Sequence, residues 1–201
     1  MAMILASQSS RRRELLGQMG FSFTVRPAKG EELAHPELTP AQLVEELARQ
    51  KALEVSAEAA SDDVVVAADT VVAIDGVVLG KPRDKAHAAE MLSALSGREH
   101  TVYTGVAVKR GETLLVEHEA TQVRFRPLTE REIDLYIQTG EPMDKAGSYG
   151  IQGYGALLVE GIRGDYFNVV GLPICRLGRM LAQVGEDALA QCAQKCAEKE
   201  R

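Results

Sequence analysis

The sequence predicts an α/β fold built on a mixed sheet flanked by helices, and three observations carry that reading. Strand-like and helix-like stretches alternate along the chain. Two hairpin signals, Asp75-Gly76 and Arg110-Gly111, stand between runs rich in valine and other strand formers, so part of the sheet is antiparallel. The most apolar stretch, Val64 to Ile74, is rich in valine and bounded by acidic and glycine-containing turns, as in a buried strand.

Taken in order, Met3 to Ala6 reads as a short first strand, followed by Ser7-Gln8-Ser9-Ser10 and a helix from about Arg11 to Met19 closed by Gly20. A strand over about Phe21 to Arg26 precedes a loop from Pro27 to Thr39. Pro40 then opens a long amphipathic helix reaching about Ala60. The Val64 to Ile74 strand and its hairpin come next, then a helix from Asp84 to Leu95 ended by Gly97. Val102 to Lys109 and Leu114 to Phe125 form a second hairpin. Thr129 to Gln138 is a further helix. A glycine-rich segment, Gly147 to Gly155, leads to a strand near Ala156 to Ile162, and Asn168 to Pro173 leads to a closing helix. The polar residues from Gly185 onward read as frayed helix or disorder. Residues 1–184 are expected to form one domain and 185–201 a polar tail.

Composition excludes several classes of function. With 23 Lys+Arg against 29 Asp+Glu the net charge is −6, and there is no tryptophan, so binding to nucleic acid through a basic, aromatic surface is not expected. Any anion site must be local. Cys175, Cys192 and Cys196 are odd in number and form no C-x-x-C pair, which argues against a disulfide framework or a zinc site. No stretch approaches the roughly 20 apolar residues of a membrane span, and no secretory leader is recognisable, so a soluble cytoplasmic protein is expected.

Asp69 is the leading candidate for chemistry, because a carboxylate inside so apolar a run is costly unless it is paired, metal-bound or used. The alternative is an aspartate capping a turn between two short strands. After the first strand, serines precede a helix whose first turn holds Arg11, Arg12 and Arg13, although cations there oppose the helix dipole. Serine hydroxyls, free N–H groups and arginine forks are the parts of a phosphate site. A Ser10 cap followed by solvated arginines would look the same. Leu43, Leu47 and Lys51 fall at i, i+4 and i+8, which sets an ammonium on the stripe of the core leucines, pointing inward or toward a cleft. Snorkelling at the stripe's edge is the alternative. Lys81 sits between Gly80 and Pro82 on a stiff loop. Glu31 and Glu32 are either solvated or, with Asp69, oxygen ligands for a hard divalent cation. The segment Asp144 to Gly153 joins flexible glycines to Gln152, whose amide can donate and accept at once.

Together, Ser7 to Arg12, Lys51, Ala68-Asp69-Thr70, Gly80-Lys81-Pro82, Asp144 to Gly153 and Asn168 to Pro173 closely resemble the Maf family of nucleoside triphosphate pyrophosphatases, over roughly residues 3 to 184. The resemblance implies an elongated, twisted α/β sheet with two lobes around a cleft, similar to inosine triphosphate pyrophosphatases, and a homodimer. Ala68-Asp69-Thr70 and Tyr149-Gly150-Ile151-Gln152-Gly153 are similar to the dTTP/UTP pyrophosphatase subgroup, whereas the 7-methyl-GTP branch typically carries Gln after the Asp. Two departures, Gln8 and Ser10, stand where Gly or Asn and then Pro are common, and they bear on loop shape rather than charge.

The same resemblance implies Asp69 as proton acceptor and Glu32 with Asp69 as ligands of Mg²⁺ or Mn²⁺. It places Ser7, Ser9, Arg11, Arg12, Lys51, Thr70, Lys81 and Gln152 at the nucleoside triphosphate, with Arg11, Thr70 and Gln152 tied to substrate choice. The competing expectation is a nucleotide-binding regulator of septum formation and cell division with little turnover.

Overall fold

The computed structural model describes residues 2–30 and 37–199. The strands are β1 (Met3–Leu5), β2 (Phe23–Val25), β3 (Val64–Ile74), β4 (Val77–Leu79), β5 (Glu99–Arg110), β6 (Thr113–Phe125) and β7 (Val159–Arg163). The helices are α1 (Ser10–Gln18), α2 (Pro40–Ser56), α3 (Lys85–Leu95), α4 (Glu130–Gln138), α5 (Tyr166–Val170), α6 (Ile174–Gln183) and α7 (Ala188–Lys199). The strands make one mixed sheet in the order β2-β1-β3-β5-β6-β7, with β4 paired to β3 outside that path. β1 runs parallel to both β2 and β3, while β3, β5, β6 and β7 are antiparallel neighbours. The expected mixed α/β class is what the chain forms.

Local chemistry explains the element ends. Thr39 and Thr129 build capping boxes with Gln42 and Glu132, and Asp84 caps α3 by accepting from the His87 N–H. Asp75 and Gly76 both have positive φ, 51° and 79°, as a two-residue I′ hairpin requires. The expected helix to Ala60 stops at Ser56, and the Asp63 carboxylate, accepting from the Ala60 and Ala2 N–H groups, holds the turn that follows. Two elements differ from expectation. Asn168 lies in the short helix α5, which was not among the expected elements, and Ala156 belongs to a 3-10 turn, so β7 starts later, at Val159. The polar end forms α7, whose Cys192 Sγ reaches the Met19 carbonyl at 2.5 Å.

Strand alternation sorts the core. Val64, Val66 and Ala68 pack with Leu15, Leu16, Leu177 and Leu181 on the α1/α6 face, while Val65, Ala67 and Ala107 pack with Ala48, Ala52 and Val55 of α2 on the other. Further along the same strands, Val72, Ile74, Val102 and Val123 form a separate core with Leu92 of α3 and Ile133 of α4. Two packed regions therefore share long strands. At about 3.3 Å per residue the 13 residues of β6 extend roughly 43 Å.

Candidate active site

The site lies where the two regions meet, outside the C-terminal end of β1. The chain leaves β1 into α1 on one face of the sheet, and α2, on the opposite face, carries it to β3 on the other side of β1. A crevice opens at such a switch of direction in α/β sheets. Here it is a cavity of about 1250 Å³ lined by Ser7, Ser9, Arg11, Arg12, Lys51, Asp69, Thr70, Lys81 and Gln152. Every candidate among the described residues thus reaches one space. Glu31 and Glu32 lie outside the described residues.

Asp69 falls within the uninterrupted 11-residue β3, and the turn-cap alternative is absent from the structure. Its strand position turns it to the α2 face, where Lys51 Nζ lies 2.5 Å from Asp69 Oδ1. The stripe holding Leu43, Leu47 and Lys51 faces the cavity, and the more fully buried stripe of α2 is the one holding Val44, Ala48, Ala52 and Val55. Lys51 is therefore on the cleft-facing side rather than on the core stripe itself.

Thr70, one residue on, turns to the other face and meets α1. Its hydroxyl accepts from Arg12 Nη2 at 2.9 Å and lies 2.9 Å from Thr104 Oγ1. Thr104 gives its single proton to the Asn168 carbonyl at 3.1 Å, so the proton between the two threonines comes from Thr70. Arg12 also donates to Gly171 O at 2.8 Å, Ala68 O at 2.8 Å and Ser7 Oγ at 3.1 Å. Its fork binds the loop after β1, β3 and the α5–α6 connection together. These bonds brace the frame of the site, and Arg12 also lines the cavity. Ser9, not Ser10, caps α1 and accepts from the Arg12 N–H.

The far wall is the segment from Glu141 to Gly153. Gly147 N–H donates to Gly80 O at 3.0 Å, which joins this wall to the loop carrying Lys81. Burial alone would raise the Asp144 carboxyl, but the hydrogen bond and charge of Lys145, with the charge of Arg11, hold it below the ordinary carboxylate value. Gln152 is exposed at the head of its loop. Lys145, Glu141 and Asp144 line the cavity without having been singled out as site residues. Asp144 and Lys145 open the segment Asp144 to Gly153 already marked in the sequence, whereas Glu141 lies outside it and the fold alone brings it opposite α1. Among the described residues the lining carries Arg11, Arg12, Lys51, Lys81 and Lys145 against Asp69, Glu141 and Asp144. An acidic chain has thus collected a cationic pocket around one buried carboxylate, suited to a polyanion and a proton transfer.

No three His, Cys, Asp or Glu side chains among the described residues converge as a ready metal cage. Magnesium at phosphate substrates needs only one or two carboxylates with phosphate oxygens and water, and Asp69 fits such a partial set.

Comparison with known proteins agrees with this architecture. A "dTTP/UTP pyrophosphatase" of Symbiobacterium thermophilum is 54% identical over 183 residues, covering 91% of this chain and 94% of that protein. One of Moorella thermoacetica is 54% identical over 188 residues, covering 92% and 96%. The structure of a HAM1 protein from Coxiella burnetii shares the fold, with a TM-score of 0.51 at 16% identity over 91% of this chain and 100% of that one. A profile described as Maf-like protein matches residues 2–184, and the chain belongs to that family.

Proposed function

We propose that this protein hydrolyses the pyrimidine nucleoside triphosphates dTTP and UTP between the α- and β-phosphates, releasing the nucleoside monophosphate and pyrophosphate. The observation that carries the reading is Asp69, a nearly buried carboxylate paired with Lys51 and lining a cationic cavity. The names borne by the relatives support the substrate class.

In this reading Asp69 orients a water and takes its proton as the water oxygen bonds to the α-phosphorus. The bridging Pα–O bond breaks, and the electron pair leaves on the pyrophosphate. Lys51, Lys81 and Arg11 carry positive charge toward the triphosphate and the growing charge on the leaving group. Ser7 and Ser9 shape the α1 entrance, and Arg12 holds Thr70 and the loop ends in place around it. Gln152 meets the edge of the base, where uracil and thymine present a ring N–H between two carbonyls. A divalent cation, Mg²⁺ or Mn²⁺, belongs to the proposal, with Asp69 and Glu32 as its protein ligands. When bound it would neutralise phosphate charge. A homodimer is proposed with it on the family resemblance, and a cytoplasmic location is a further part of the proposal. Among the described residues no helix is long and apolar enough to cross a membrane.

The test is pyrophosphate release with Mg²⁺ or Mn²⁺ across dTTP, UTP, CTP, 7-methyl-GTP and ITP, with preference for dTTP and UTP expected. Asp69→Asn should lower kcat by at least about 10²-fold while dTTP still binds, the scale of a lost general base. Near-parent turnover of dTTP by that variant would remove Asp69 from the proton-accepting role.

A further inference from the structure

Glu141 stands apart from the proton and phosphate chemistry, yet its carboxylate is fully engaged at one place. Oε2 accepts from the Tyr154 N–H at 2.8 Å, while Oε1 accepts from the Gly155 N–H at 3.0 Å and the Tyr136 hydroxyl at 2.8 Å. The same Tyr136 oxygen accepts the Gly150 N–H at 3.1 Å. One carboxylate–phenol pair therefore grips both feet of the loop 150–155, and Gln152 stands at its head. The approach is close enough to exclude side chains at the feet. A Cβ on Gly153 would sit 2.1 Å from Glu141 Oε2, and one on Gly155 would sit 2.7 Å from the Tyr136 oxygen. The glycines are thus required by the grip and do not mark a slack hinge. Burial alone would raise the Glu141 carboxyl, but the Gly155, Tyr136 and Tyr154 hydrogen bonds, with the charge of Lys145, hold it below the usual carboxylate value. Tyr136 is pushed upward, by burial first and by Glu141 second, so it stays a neutral donor.

We infer that Glu141 and Tyr136 are positioning residues that hold the Gln152 loop in shape and so set the nucleobase selectivity of the site. The inference rests on the reading of Gln152 as the base contact and deepens it. A preformed loop presents its amide without the entropy cost of ordering at each binding event. Phosphate chemistry at Asp69 is served by other elements, so loosening the latch should fall on selectivity and KM more than on kcat.

The experiment is steady-state pyrophosphate release by parent, Glu141→Gln, Gln152→Ala and the double variant on dTTP, UTP and dGTP. Glu141→Gln puts an NH₂ group where an acceptor is needed. It should lower the dTTP-to-dGTP ratio of kcat/KM by on the order of 10-fold, mainly through KM for dTTP. Gln152→Ala should do the same, and the double variant should lose little more, because both act through one contact. An unchanged ratio in a discriminating parent, an equal kcat loss on every nucleotide, or additive losses in the double variant would each overturn the inference. Tyr136→Phe, which removes only the hydroxyl, gives the same reading if Glu141→Gln does not fold. Amide exchange at Tyr154 and Gly155 reads the latch without turnover. Faster exchange in Glu141→Gln supports it, and parent-rate exchange overturns it. A parent that discriminates among no nucleotides overturns the base-contact reading and the selectivity claim with it, while the exchange result still decides the latch.

Discussion

Gly105 faces Asp69 across the β3–β5 ladder, and a single methyl there should disable the site from behind. Gly105 is not among the positive-φ residues, so alanine meets no backbone strain. The obstacle is α2. A Cβ would land 2.1 Å from the Val44 carbonyl oxygen, 2.3 Å from its carbon and 2.7 Å from the Glu45 nitrogen. Ordinary contact begins near 3.4 Å, so helix and sheet must part by about 1.3 Å at this point. The atoms in the way are backbone, and no rotamer change relieves them. Overpacking of this kind typically costs about 1–3 kcal/mol. Here α2 also seats Val44, Ala48 and Ala52, all fully buried, which places the expected loss at the upper end, near 3 kcal/mol. Lys51 lies two turns further along the same helix, and its 2.5 Å contact with Asp69 would stretch beyond hydrogen-bonding distance. Misplacement by about 1 Å can lower turnover by roughly 10²-fold. Urea unfolding gives the first quantity, and dTTP hydrolysis by the folded fraction gives the second. A Gly105→Ala protein with the parent midpoint and parent turnover would refute the claim that this close approach sets the Lys51–Asp69 geometry.

Two further outcomes are expected. Arg12→Lys cannot reach the four acceptors on Gly171, Ala68, Ser7 and Thr70 at once, and should cost about 3–6 kcal/mol in urea unfolding, the loss of about two charge-assisted hydrogen bonds. A parent midpoint would show that the fork is dispensable to the fold. His100 is buried against Phe125 and Tyr149, and burial lowers its pKa from 6.5 to about 4. Above pH 6.5 it is neutral in both states. Between about 6.5 and 4 only the unfolded chain takes up the proton, so stability should fall as the pH drops through that window, by up to about 3 kcal/mol. His100→Gln, measured by urea unfolding at pH 7 and pH 4.5, should shrink that fall. An undiminished fall would assign the acid sensitivity elsewhere.

Much of this protein was legible in the order of its residues. The I′ turn at Asp75-Gly76, the caps at Asp84 and Thr129, and the strand periodicities are local, so a short window determines them. Asp69 was conspicuous because a carboxylate in an apolar run needs a partner, and the helical period placed Lys51 on the stripe of Leu43 and Leu47, which the structure turns to the cleft. Tertiary structure alone decided which partners meet. The turn of the strand sends Asp69 to α2 and Thr70 to α1, and only the parallel pairing of β3 with β1 places Arg12 where it ties Ser7, Ala68, Thr70 and Gly171 together. In sequence an arginine at a helix start reads as an anion ligand. The buried carbonyls that claim it are up to 159 residues away. Gly105 and Glu141 have the same character, because a close helix–sheet approach and a carboxylate gripping a loop leave no period in the chain. Periodicity records which face a residue occupies, while the identity of what lies across that face depends on long-range packing.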